Sequence, residues 1–466
     1  MKSKLFNLSI ICIFLAFAKN GKAKEHSLRV DEVLKSVKAY YPLVLKSLDE
    51  LDSSKMEVLA AKGLFDSKLS VKKDQRVEGF YEADSIDAVA TKPIKLLNGE
   101  VYAGFRSSDG NWPLYEGKKE TLDEGEARLG LKLSLWRDSQ IDKRSARLAN
   151  ETLSMEGSKA NTKDVLLKSQ AKAYAAYWNW VAKGQIFKIY EKLLEIAKER
   201  AIGLKKRIQK GDLAKIYGLE NQQYIARRQS KAIKAERDFI QAGLKLALFL
   251  RDKEGRPVFV KPDRLPNINE LEVKEAYLQE NVDKVERALQ LNPKLKQLGL
   301  KTKVLENEFE FERNKLNPKL DLRIEVSKDY GQGSRTLRAE EQRLALMLEI
   351  PIERNLAKGK SESTAAKRRA VEHQIKYLKE QLATNARAIS VKLKSLNMEL
   401  KNIKQEAELA QKLQAAERLK FKEGGSDFFV VNLREQDAAD AKAKFFQRLS
   451  KYQETLAVYK QLIMDF

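Results

Sequence analysis

The strongest constraint in the sequence is one helical pattern that continues from residue 355 to residue 423. This stretch has no proline, and its only glycine, Gly359, lies near its start. Its apolar residues recur at mixed steps of three and four, which is typical of a long helix packed against other helices. At about 1.5 Å per residue such a helix is about 100 Å long, wider than a compact globule of this size. The sequence therefore predicts an elongated protein. The apolar positions are Val371, Ile375, Leu378, Leu382, Ala386, Ile389, Leu393, Leu396, Leu400, Ile403, Ala407, Ala410 and Leu413.

The first 23 residues have the pattern of a secretory signal peptide. Lys2 and Lys4 precede an apolar segment at residues 8–18, and the small residues Gly21 and Ala23 suit cleavage after residue 23. The sequence therefore predicts export from the cytoplasm. The only cysteine, Cys12, lies inside this segment, so we expect a mature chain with neither a disulfide nor a reactive thiol.

Composition favours long solvated helices over a thick globular core. The chain has 466 residues, of which 33% are charged, and a net charge of +23. Its mean hydropathy is −0.52. The basic residues are interspersed with glutamates along helical segments, and no aromatic and basic module for nucleic acid is present. We therefore expect no nucleic-acid partner, and we attribute the charge to solvated helix faces or to contact with anionic lipid.

No set of residues has the arrangement of an enzyme active site. The sequence shows no arrangement of a nucleophile with a general base and an acid, and no phosphate-binding loop. His26 and His373 are isolated, and without cysteines they make no metal site. We expect no cofactor and no enzymatic activity. The one aromatic cluster has the spacing of inter-helix packing and consists of Tyr174, Tyr177, Trp178 and Trp180.

Four segments alternate apolar and polar residues with the period of a β-strand. One begins at Leu69 and continues weakly toward Tyr81, and the other three lie near residues 127–135, 320–327 and 343–350. Residues 82–125 are predicted to be a long loop, although Val101, Ala103 and Phe105 are compatible with a further strand. The charged residues between the apolar positions are Arg128, Lys132, Asp321, Arg323, Glu325 and Arg343.

The same plan occurs twice along the chain. Pro42 and Pro293 stand at corresponding positions before the strands, and Gly211 and Gly424 at corresponding breaks between helices. Each half reads as helix, strand pair, long helix, glycine break and helix. The predicted divisions are a signal peptide at 1–23, a helical segment at 24–65, a strand pair with a long loop at 66–137, a helical hairpin at 138–250 with its tip near 211, a linker at 251–278, a helical segment at 279–317, a strand pair at 318–354 and a hairpin at 355–466 with its tip near 424.

The alternating strands fit either a soluble sheet or a membrane barrel with an apolar outside and a wet lumen. Export, the small number of strands and the charged alternate positions favour the barrel. A barrel in lipid must close, and four strands cannot close one, so several copies would have to share it. The long helices that follow the strands would then form a tube.

Five stretches together resemble the TolC-like outer-membrane efflux protein family. They are LNPKLDL at 316–322 before a strand, LEIPI at 348–352 with its counterpart LSLWRD at 133–138 after a strand, and the helix breaks KGD at 210–212 and EGGS at 423–426. With the duplicated plan, the resemblance covers nearly the whole chain after the signal peptide.

This resemblance implies a mainly α fold with a membrane β-barrel. It implies a homotrimer, a twelve-stranded barrel in the outer membrane, and a long periplasmic α-helical barrel continuous with it. The implied function is the exit duct of a tripartite efflux pump or a type I secretion system. The implied partners are a periplasmic adaptor (membrane fusion) protein, an inner-membrane RND or ABC transporter and outer-membrane lipid. The charged strand residues named above would line the barrel lumen.

The resemblance also places gating and adaptor docking at the helical tip. The residues concerned are Gly211, Asp212, Gly424, Gly425, Asp427, Arg434 and Glu435. We expect Asp427, Arg434 and Glu435 near the constriction, as an interhelical ion-pair lock. The acidic ring common in such channels is not evident here, and the strong positive charge favours anionic cargo.

Two other functions compete with an export duct. One is a periplasmic adaptor or coiled-coil interaction protein without its own pore, but an adaptor has a single hairpin and not a duplicated plan. The other is a secreted protein that binds nucleic acid or lipopolysaccharide, suggested by charge alone.

Overall fold

The computed structural model describes residues 26–113, 119–267 and 282–466. The predicted signal peptide and residues 268–278 of the predicted linker lie outside the described residues. None of the helices in the described ranges is long and apolar enough to cross a membrane. These helices are α1 (Val30–Tyr40), α2 (Pro42–Lys62), α3 (Lys143–Gln209), α4 (Ile216–Ala247), α5 (Val282–Leu291), α6 (Pro293–Asn314), α7 (Asn355–Lys422) and α8 (Phe428–Ile463).

The predicted long helix is confirmed as α7, whose 68 residues give a length of about 100 Å. Its counterpart α3 has 67 residues. Helix α3 begins at a capping box, because the Ser145 amide donates to Oδ1 of Asp142 at 2.8 Å and the Asp142 amide donates to Oγ of Ser145 at 2.9 Å. Pro42 and Pro293 occupy the first turns of α2 and α6, where a missing amide proton costs nothing.

The helices pack four abreast in two successive layers. Beside the sheet the order is α2, α3, α6 and α7, and toward the glycine breaks it is α4, α3, α8 and α7. Helices α3 and α7 run through both layers, while each shorter helix covers one layer. The duplicated sequence plan therefore gives two long helices, each with two shorter partners end to end.

The predicted aromatic cluster is confirmed as inter-helix packing. Trp180 of α3 is 1% exposed, and the hydroxyl of Tyr177 donates to the carbonyl of Leu28 at 2.9 Å. The hydroxyl of Tyr174 donates to Oε1 of Gln453 in α8 at 2.8 Å. These contacts make the main hydrophobic core, where α3, α8 and the N-terminal segment meet midway along the molecule.

The strands form one open antiparallel sheet in sequential order. Strands β4 and β5 pair with each other and so join the two halves of the chain, and β1 and β6 are the edges. The strands are β1 (Lys68–Arg76), β2 (Ala83–Pro93), β3 (Glu100–Gly110), β4 (Gly125–Ser134), β5 (Lys319–Tyr330) and β6 (Glu341–Glu349).

The prediction of a long loop at residues 82–125, and with it four strands per chain, is wrong. Most of this region is the hairpin of β2 and β3, so the described sheet has six strands. The alternative of a strand at Val101, Ala103 and Phe105 is confirmed by β3. The sequence pattern did not predict strand β2 because alanines, including Ala88 and Ala90, fill much of its apolar face. Small side chains give little alternation in hydropathy.

Candidate functional sites on the sheet and at the helical tip

The pairing register gives the sheet one charged face and one apolar face. Lys132 lies opposite Arg323, Gly130 opposite Glu325, and Arg343 opposite Glu325 from the other side. All six charged strand residues named from the sequence therefore share a face. The same face also carries residues that the sequence analysis did not single out, namely Lys72, Asp74, Asp87, Tyr102, Arg106 and Glu126.

Ion pairs cross several strands on the charged face. Arg128 of β4 pairs with Asp87 of β2, with β3 between them, and Arg106 of β3 lies 3.5 Å from the same carboxylate. Gly104 lies under the Arg128 guanidinium, because a Cβ there would be 3.3 Å from its Nη2. A glycine at that position lets the long arginine lie flat across β3.

A second flat side chain is Tyr102, which covers Gly130. A Cβ at Gly130 would lie 2.1 Å from the tyrosine Cζ, so only glycine fits beneath the ring. The Tyr102 hydroxyl donates to Oε2 of Glu325 at 2.5 Å and accepts from Nε of Arg323 at 2.7 Å. Tyrosine over glycine is a pairing that fixes strand register, and here it also orients two of the predicted lumen residues.

Charged groups also concentrate where the sheet meets the helices. Asp321 is 3% exposed and lies 3.6 Å from Nζ of Lys132 and 3.4 Å from Nζ of Lys319. These residues line an open cavity of 1080 Å³, together with Arg137 and Arg144. The cavity therefore combines a charged side with an apolar side, which includes Phe311 and Leu356.

The opposite face of the sheet is apolar and exposed. Leu129 in the central strand β4 is 60% exposed, and Leu346 in the edge strand β6 is 62% exposed. A continuous apolar face of this kind needs a lipid or protein surface against it. Other large exposed residues on this face include Leu69, Val71, Ile86, Phe105, Ile324, Val326, Leu344 and Leu348.

The two helix breaks have the same geometry. Gly211 and Gly424 adopt left-handed φ values of +84° and +81°, which glycine reaches without strain. The Asp212 amide donates to the carbonyl of Arg207 at 3.0 Å, and the Gly425 amide donates to that of Lys420 at 2.9 Å. Both long helices thus end in a Schellman turn.

One buried carboxylate near these turns holds all four helices of the two hairpins. Glu435 of α8 is fully buried and pairs with Arg200 of α3, Arg228 of α4 and Arg418 of α7. The Arg228 Nη2 lies 3.2 Å from the carboxylate, and the Arg418 Nη2 lies 2.9 Å from it. Asn432, one turn before Glu435, accepts from Arg200 at 2.8 Å. We call these five residues the tip cluster.

Three arginines around one carboxylate leave the tip cluster with excess positive charge. Burial lowers the pKa of Arg228 below its ordinary value, and the Glu435 carboxylate acts in the opposite direction. Arginine nevertheless stays protonated in proteins. Glu435 is therefore the group that makes burial of these cations tolerable.

The sequence-predicted tip residues have different places in this arrangement. Glu435 is in an interhelical ion-pair cluster, and its partners within this chain are the three arginines. The lock of Asp427, Arg434 and Glu435 at the constriction stays a prediction. Asp427 caps α8, accepting from the Phe429 amide at 3.4 Å. Arg434 is half-buried, and Asp212 is exposed in its turn.

Sequence reasoning missed Arg200, Arg228 and Arg418 because arginines on solvated helix faces look the same. One signal was present at Glu435, which falls three or four residues from its buried neighbours on α8. A charge inside such a stripe indicates a buried partner of opposite sign. In the described residues, no three histidine, cysteine or acidic side chains are grouped as metal ligands would be.

The chain is similar in overall fold to solved outer-membrane channels. The CmeC outer membrane channel of Campylobacter jejuni is 10% identical, and the match covers 98% of this chain and 93% of that one with a TM-score of 0.63. VceC of Vibrio cholerae is 12% identical, and the match covers 93% of this chain and 95% of that one with a TM-score of 0.62. The open state of MtrE of Neisseria gonorrhoeae is 11% identical, and the match covers 93% of this chain and 88% of that one with a TM-score of 0.63.

This chain has the fold of the outer-membrane channels. The likeness extends over nearly the full length of both partners, which confirms the mainly helical, TolC-like fold of the single chain that the sequence resemblance implied. No protein-family model and no curated protein sequence matches the chain. Within the channel fold, the two Schellman turns end the helical hairpins farthest from the sheet.

Replacing Glu435 by glutamine should destabilise the hairpins strongly. The change leaves three buried or half-buried arginines without their carboxylate, which costs about 3–5 kcal/mol when one partner of a buried pair is removed. The measurement is thermal unfolding followed by helical circular dichroism. Glu454→Gln, on the solvated part of the same helix, is the matched control and should leave the melting temperature unchanged. Equal melting temperatures for the two variants would contradict the role given to Glu435.

Proposed function

We propose that this protein is a channel-tunnel of the outer membrane that serves as the exit duct of a tripartite efflux pump or a type I secretion system. The observation that carries the proposal is the sheet with one apolar and one charged face, continuous with helices about 100 Å long. The apolar face meets lipid and the charged face lines a wet lumen. The duct is passive and catalyses no reaction.

The lumen lining in this proposal consists of Arg128, Lys132, Asp321, Arg323, Glu325 and Arg343. Ion pairs within the sheet hold several of them, so their charges are fixed in place and not free to swing across the pore. A lumen lined by paired charges keeps water in the barrel. The net charge of +23 favours anionic cargo, because basic surfaces attract anions over long distances.

The helical end is the proposed site of docking and gating. A periplasmic adaptor (membrane fusion) protein binds the turns at Gly211, Asp212, Gly424 and Gly425, and an inner-membrane RND or ABC transporter supplies energy and selects cargo. Arg434 and Glu435 lie ten and eleven residues after Gly424, close enough to the second turn to control opening of the pore there. The working unit is a homotrimer, because one chain has an open sheet and cannot enclose a pore.

The native mass of the protein extracted from outer-membrane fractions tests this assembly. We expect a trimer that needs detergent for extraction, because the apolar sheet face must be covered. A monomer or dimer released without detergent would refute the duct and favour a periplasmic adaptor or coiled-coil protein. Whole-cell lysate and inner-membrane fractions provide the fractionation controls.

Leu129→Arg tests which face meets lipid. An arginine at mid-barrel on the lipid side costs about 2–4 kcal/mol, so the variant should be strongly depleted from the outer membrane. Thr91→Arg adds the same charge to the charged face of the sheet, in strand β2, and this variant should insert normally. Quantitative immunoblots of outer-membrane fractions compare the two. Equal depletion of both variants, or of neither, would count against the assignment of faces.

Arg434→Glu tests gating at the tip. The reversal puts an anion in place of a half-buried cation on α8. Contacts of Arg434 with acidic groups across the proposed ion-pair lock then become repulsive, so single-channel conductance in a planar bilayer should rise severalfold. Lys451→Glu, far from the turn on the same helix, should leave the conductance as it is. An unchanged conductance for Arg434→Glu would remove this residue from the gate.

A further inference from the structure

Strands β1 and β6 are the two edges of the sheet, and both are open in the described part of the chain. Each has nine residues, and most of each strand is exposed. Neither contains a proline that would discourage pairing. In lipid, unpaired backbone groups along such edges have no water to bond with, so both edges need a partner strand.

We propose that β1 of one copy pairs with β6 of a second copy with their ends aligned, and that three copies close a barrel of eighteen strands. Lys68 then lies opposite Glu349 of the second copy, and Arg76 lies opposite its Glu341. This inference rests on the proposed trimeric duct, and it replaces the twelve strands that the sequence resemblance implied. Because each copy contributes six strands, an even number, the new pair is antiparallel like all the others.

Charge complementarity supports the aligned register. Three cross-strand pairs have opposite charges, and two pairs on the other face are apolar, so both faces of the sheet continue across the boundary. The charged pairs are Lys68 with Glu349, Asp74 with Arg343 and Arg76 with Glu341, and the apolar pairs are Leu69 with Leu348 and Val71 with Leu346.

Neighbouring registers lack this complementarity. A shift of two residues one way sets Asp74 against Glu341 and Lys72 against Arg343, and a shift the other way sets Arg76 against Arg343. Like charges directly opposite one another destabilise a strand pair. A shift of one residue would turn the apolar residues of one copy toward the charged face of the next.

The stagger of the strands gives independent support. Following the pairing across one copy leads from Lys68 to Thr91, Tyr102, Gly130, Glu325 and Arg343. In the aligned register the next residue is Asp74 of the second copy, six positions along β1 from the start. The stagger per copy then equals the number of strands per copy. Barrels whose total stagger in residues equals their number of strands have a strand tilt of about 36°, within the range common for closed barrels.

The width of the sheet also matches the width of the helical layer. Six strands about 4.8 Å apart and tilted by about 36° span about 36 Å. Four helices abreast at about 8–10 Å span about 32–40 Å. Four strands would span only about 24 Å. The hairpin of β2 and β3 therefore lets the barrel continue the helical tube without a constriction at their junction.

Disulfide cross-linking tests the proposed pair. A Cys12→Ser background removes the only cysteine in the sequence. The test pair, Ser70→Cys with Met347→Cys, lies directly opposite in the aligned register. Within one chain these positions are five strand spacings, about 24 Å, apart, too far for a disulfide, so any cross-link joins two copies. The control, Ser70→Cys with Arg343→Cys, is four residues out of register on the same face.

We expect mild oxidation of outer-membrane fractions to link the test pair into covalent dimers and trimers, at least about tenfold more than the control pair. Lys72→Cys with Ala345→Cys is a second pair in the same register, with Lys72→Cys and Glu341→Cys as its control, should the first pair not assemble. A native trimer that shows no cross-link with either test pair, or a stronger cross-link with a control, would overturn the proposal. Failure of the cysteine-free protein to form a trimer would instead overturn the proposed function, before any oxidation.

Discussion

The packing of α3 is the constraint on which the rest of the structure depends. This helix contacts α1, α2, α4, α6 and α8, and it does so by burying small residues such as Ala160, Ala173 and Gly184 along its length. Large side chains at those positions would push the neighbouring helices apart. Its first turn is tied to the sheet by Arg144, which donates to Glu100 at 2.8 Å, and its last turns supply Arg200 to the tip cluster. One helix therefore fixes the position of the sheet relative to the tip.

The middle of α3 and its end near the tip are held by different kinds of interaction. Around Trp180 the contact is apolar and aromatic, and it stabilises through area removed from water. Around Glu435 the contact is ionic, and only one arrangement satisfies the carboxylate and its three arginines together. Apolar packing tolerates small sliding of one helix along another, whereas a buried ion cluster does not. The chain thus has its most exacting contact beside the end that is proposed to open.

Much of the fold could be predicted from sequence because its signals are local. The helix at 355–423 and the strands near 127–135 and 320–327 repeat large apolar residues at a clear period, and the paired prolines and glycines expose the duplication. Strand β2 could not be found in the same way, since alanines carry its apolar face. The partners of Glu435 could not be found either, because they come from three other helices and depend on how distant parts of the chain pack. Sequence named the carboxylate and the charged sheet positions, but only the register brings Asp87 to Arg128 and Tyr102 to Glu325.

The open edges described for β1 and β6 have a consequence for how such a protein is made. A lone chain has folded helices but exposes an apolar sheet face and two long strand edges, so it is an intermediate that aggregates easily. Closing the proposed barrel requires encounters between chains, and its rate would therefore rise steeply with their local concentration. Mistimed synthesis or delayed delivery to the membrane would leave the chain in its most vulnerable state. In the proposed assembly, the slow and hazardous step of folding is the encounter of a chain with its own copies.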